Sequence, residues 1–133
     1  MNTSQGHAAW VRPAWWAVAW FGVGLLLWLS LMRDPPQMNF EDSDKVQHIA
    51  AYTVLTAWWM QLWLARGRRI GLALGLMALG VAIEFAQAAT GYRTYSYGDM
   101  AADAIGIALG WLAAPPRLPN LLAWLQQSLS RRT

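Results

Sequence analysis

Apolar residues in this chain fall into four long runs separated by short polar segments. The first run, Ala14 to Met32, holds about 19 residues, and about 20 cross the ~30 Å hydrocarbon core as a helix. It exceeds the usual apolar core of a signal peptide, and no small-x-small cleavage pattern follows it. It is therefore expected to be an uncleaved span that stops before Pro35 and Pro36. Residues 33–45 are polar and acidic, and Ser43 or Asp44 is the expected N-cap of the next helix. That helix covers about 45–65 and carries His48, Tyr52 and Gln61 in an otherwise apolar, Trp-rich sequence. Arg66-Gly67-Arg68-Arg69 predicts a tight basic turn. A third run, about 70–90, is built of Gly, Ala, Leu, Met and Val until Glu84. Its Gly71, Gly75 and Gly80 predict close helix contact. The fourth run, about 99–114, is short at roughly 16 residues, with Asp99 as its expected N-cap and Pro115-Pro116 as its stop. Leu118, Leu121, Leu122, Leu125 and Leu129 then recur at helical spacing and predict an amphipathic helix on the membrane surface.

The pattern predicts an all-α polytopic membrane protein, a four-transmembrane-helix bundle. Residues 1–13 form a short cytoplasmic N-terminus, 14–114 the single membrane domain, and 115–133 an amphipathic tail. Composition agrees: 56% of the residues are hydrophobic and 13% charged, where soluble domains carry about 25% charged residues. Ten Trp in 133 residues also suit a chain that meets two lipid–water interfaces. Cys is absent, which excludes disulfides, thiolate metal sites and Cys nucleophiles. The net charge of +3 is small and its basic residues sit at segment ends, so nucleic acid is not an expected partner. With both termini cytoplasmic, Arg12, Arg66, Arg68, Arg69, Arg117, Arg131 and Arg132 lie inside, and Arg33, Lys45 and Arg93 outside. That seven-to-three bias favours this orientation in a cytoplasmic membrane.

In that arrangement the unusual polar residues share one end of the bundle, the extracytoplasmic one. Lys45, His48 and Tyr52 occupy the first two turns of the second span, one face at spacings of three and four. Glu84 and Gln87 lie one turn apart near the end of the third. Asp99 and Asp103 lie one turn apart at the start of the fourth, after a loop holding Arg93. A carboxylate inside a span is costly and needs a partner, with Arg93, His48 or Lys45 available as counter-charge. Three uses of the cluster follow. Arg93 and Lys45 can hold an anionic ligand while the carboxylates accept hydrogen bonds. His48, Glu84 and Asp103 can act as acid–base or metal-assisted catalytic groups. Or the cluster fixes helix packing alone. No tight metal motif is present, so the sequence assigns neither metal nor cofactor. Ser96 lacks a nucleophile setting.

The set Asp44-Lys45-x2-His48-x3-Tyr52, Glu84-x2-Gln87, Arg93, Ser96 and Asp99, leading into a Gly-rich fourth span with Gly106 and Gly110, resembles the VanZ-like family of small bacterial membrane proteins. The likeness covers roughly residues 30–114. Asp103 stands where that family usually has Asn. The resemblance implies a bacterial inner-membrane protein of the cell envelope, with a role in sensitivity to the glycopeptide teicoplanin. It also implies a lipid-linked or glycopeptide-related ligand outside the membrane, and assigns no activity.

Overall fold

The computed structural model describes residues 8–131. Residues 1–7 of the expected cytoplasmic N-terminus, and Arg132 of the charge bias, lie outside the described residues. The described residues form five α-helices and no strand: α1 Val11–Leu31, α2 Ser43–Trp59, α3 Arg66–Ala89, α4 Tyr97–Leu112 and α5 Leu121–Ser130. Two of them, α1 and α3, are long and apolar enough to cross a membrane. At 1.5 Å per residue, the 17 residues of α2 and 16 of α4 are one turn short of the usual span.

Three helix boundaries differ from the sequence expectation. The break between the second and third helices falls at residues 60–65, and the predicted basic turn at 66–69 is instead the first turn of α3. Arg69 explains the shift. Its guanidinium is 5% exposed and donates from Nε to the Trp63 carbonyl at 2.8 Å and from Nη2 to the Met60 carbonyl at 3.2 Å. It also donates from Nη1 to the carbonyl of Pro115. One rigid fork of donors thus satisfies carbonyls left over where α2 ends and beyond α4. At α4, the N-cap is Ser96, whose Oγ accepts from the Asp99 amide at 3.1 Å. Asp99 sits inside the first turn, so its carboxylate is left available. At α2, Asp42 holds the cap position with φ 58° and Ser43 is already helical.

α2 and α4 form the most extensive helix pair. Their approach is set by Gly106 and Gly110. A Cβ at Gly106 would lie 2.7 Å from the Ile49 carbonyl oxygen, and one at Gly110 2.6 Å from that of Thr53. The expected stripe on α3 is different: Gly71 and Gly75 face open space, and only Gly80 is crowded, by Asp103 and the Tyr52 hydroxyl.

At the other end of the bundle, tryptophans join α1 to α2. The Trp15 and Trp58 rings stack with centroids 3.8 Å apart, and each indole N–H donates to the other's backbone carbonyl at 3.1 Å. Trp16, Trp20, Trp59 and Trp63 extend the cluster through edge contacts. In α5, Asn120 caps the helix and Gln61 Oε1 accepts from the Leu121 amide at 2.8 Å. The tail is therefore pinned to the bundle. Leu122 is buried, while Leu118, Leu121 and Trp124 remain exposed.

Candidate functional site

The stagger of α2, α3 and α4 places their polar residues at one end of the bundle. His48 enters from the first turns of α2, Glu84 from near the end of α3, and Asp99 and Asp103 from the start of α4. Gly80 opens the room for this. It lies one turn from Glu84, and a side chain there would strike Asp103 and the Tyr52 hydroxyl.

His48 is the hub. Its Nδ1 lies 2.8 Å from Asp103 Oδ1, and its Nε2 faces Asp99 Oδ2 at 3.9 Å. Asp103 is 1% exposed and Glu84 fully buried. Glu84 Oε2 accepts from the Ser96 amide at 2.8 Å, which ties α3 to the cap of α4. Donor atoms of His48, Glu84 and Asp99 all lie within 4.8 Å of one another. The buried oxygens Glu84 Oε1 and Asp99 Oδ1, and the Tyr52 hydroxyl, have no hydrogen-bond partner among the described residues. Unpaired buried polar atoms are costly, so a concentration of them marks a place of interest.

Of the eight residues singled out from the sequence, His48, Glu84, Asp99 and Asp103 meet directly, and Tyr52 stands beside Asp103. Gln87 adjoins them but turns its amide to the Ser30 carbonyl at 2.7 Å, bracing α3 against α1. Lys45 stays apart. It pairs with Asp42 at 2.9 Å and Asp44 at 3.8 Å near the start of α2. The basic group inside the cluster is thus His48. Arg93 lines a neighbouring cavity and makes no ion pair among the described residues.

That cavity, of about 400 Å³, lies between the ends of α1 and α3, the start of α2 and the loop before it. Leu26, Leu29, Pro35, Pro36, Met38, Ala50 and Ala51 make it largely apolar, while His48, Gln87 and Arg93 supply polar groups. Its volume and mixed lining suit a small-molecule or lipid site. The part played by α1 and by Pro35-Pro36 was not legible from sequence, where they read as span and stop signal. Gln47 on its wall was also unmarked, and Asp44 read as a helix cap. No family model, curated protein or solved structure matches the chain.

Proposed function

We propose that the chain is an integral membrane protein of the bacterial envelope whose cavity binds the anionic headgroup of an amphiphile, with its apolar part against α1 and the Pro35-Pro36 loop. The observation that carries this is Arg93, a cation with no ion-pair partner among the described residues, on the wall of a largely apolar cavity whose lining carboxylate, Asp44, is paired with Lys45. A guanidinium in such a place favours a carboxylate or phosphate. The distribution of polarity supports four bilayer helices. Glu84 and Asp103 are at most 1% exposed, whereas Val54, Leu74 and Phe21 are 66–69% exposed, the inverse of a water-facing surface. We take α2 and α4 as the two short spans, their polar end reaching the headgroup layer where the bilayer thins. With both termini cytoplasmic, the cavity faces outward, as a VanZ-like role on lipid-linked envelope components requires.

The test is binding of anionic and zwitterionic lipids to the purified chain in detergent, followed by native mass spectrometry. The parent is expected to retain phosphatidylglycerol over phosphatidylcholine, and Arg93→Ala to lose that preference by about tenfold. Equal retention of both lipids by the parent, or an unchanged preference in Arg93→Ala, refutes the proposal.

A further inference from the structure

We propose that His48, Glu84 and Asp99 form a binding site for one divalent transition-metal ion, zinc foremost. The donor set comes from three different helices or helix starts and converges within 4.8 Å. A tetrahedral ion with ligands at about 2.1 Å keeps them about 3.4 Å apart, so side-chain adjustments of about an ångström close the site.

A second observation points to a ligand independently. Glu84 and Asp99 are 0% and 6% exposed, and each buries a carboxylate oxygen, Oε1 and Oδ1, with no hydrogen-bond partner among the described residues. Each of these carboxylates also supplies a donor atom to the convergent set. An ion bound there would engage both carboxylates. It would also balance charge: three buried carboxylates face one imidazole, while Lys45 is engaged by Asp42 and Asp44.

Asp103 completes the arrangement as a positioning residue. Its carboxylate holds His48 Nδ1 at 2.8 Å, which leaves the Nε2 lone pair for the ion, the outer-shell pattern common to metal-bound histidines. One imidazole with two carboxylates suits zinc or manganese better than calcium or magnesium, which favour all-oxygen shells. His48 also lines the cavity, so a fourth ligand has a way in from that side.

Zinc alone is the probe, so the result does not depend on any lipid ligand. The tag-free full chain in detergent is stripped with chelator and titrated with zinc against a chromophoric competitor. One equivalent is expected to bind and to raise the melting temperature. His48→Ala, Glu84→Gln and Asp99→Asn should each weaken binding at least about 100-fold, and Asp103→Asn about 10–100-fold. His7→Ala, at the only other histidine of the chain, should leave binding unchanged. Failure of the parent to bind one equivalent overturns the proposal. So does parental zinc affinity in any of the three ligand variants that melts like the parent in chelator. Loss of binding in His7→Ala, or calcium bound as tightly as zinc, overturns it as well. If one ligand variant does not fold, the other two decide.

Discussion

Replacing single glycines by alanine should stabilise one helix and destabilise another, although both changes add the same methyl group. At Gly106 the new Cβ would stand 2.7 Å from the Ile49 carbonyl oxygen and 2.7 Å from Tyr52 Cβ. Ordinary contact needs roughly 0.7–1 Å more. Both obstacles are backbone or backbone-proximal atoms of α2, so no side-chain rotation relieves the clash and α4 must withdraw. Overpacking of this kind costs about 1–3 kcal/mol. Gly110 repeats the situation one turn on, against Thr53 and Thr56. At Gly71 and Gly75 nothing lies within 4 Å, and alanine there contributes about 0.5–1 kcal/mol of helix propensity. The two classes should therefore differ by about 1.5–4 kcal/mol, the sum of those ranges. Thermal unfolding of the purified variants in one detergent measures the order directly. The expected ranking is Gly71→Ala and Gly75→Ala above the parent, Gly106→Ala and Gly110→Ala below it. Gly106→Ala melting at or above the parent would refute the packing argument, as would equal losses at Gly71 and Gly106.

Arg69→Lys should destabilise the chain by about 2–4 kcal/mol, because one ammonium cannot replace a planar fork shared among the carbonyls of Trp63, Met60 and Pro115; a parental melting temperature for this variant would remove Arg69 from the account of the α2–α3 boundary. Single cysteines placed at positions 37, 67 and 95 should react with an impermeant thiol reagent in intact cells at 37 and 95 but not at 67. Labelling at 67 alone would reverse the orientation proposed for the cavity.

The local features were legible before any tertiary contact. Helix-length apolar runs, two of them bounded by Pro35-Pro36 and Pro115-Pro116, predict the observed α1, α3 and α4 within a few residues. The spacings His48–Tyr52, Glu84–Gln87 and Asp99–Asp103 put each pair on one helix face, and all three pairs at the same end. Where the chain departs from expectation, a distant partner is responsible at Arg69 and a neighbouring side chain at Asp99. Arg69 reads as part of a tight basic turn, but the carbonyls of Met60, Trp63 and Pro115 draw it inside and extend α3 over it. Asp99 reads as a cap, but Ser96 takes the cap and leaves the carboxylate to His48.

By itself, then, the amino-acid order determined that this protein is helical, where its polar residues fall along each helix, and that they gather at one end. Those properties follow from hydrophobicity and a 3.6-residue period, which act within a dozen residues. Tertiary structure alone decided that α4 meets α2 through Gly106 and Gly110 rather than α3 through Gly71 and Gly75. It decided that His48 joins Asp103 while Lys45 turns to Asp42, and that α1 closes a cavity beside Arg93. Helical periodicity states which residues share a face; which face meets which is settled only by the fit of one backbone and its side chains against another.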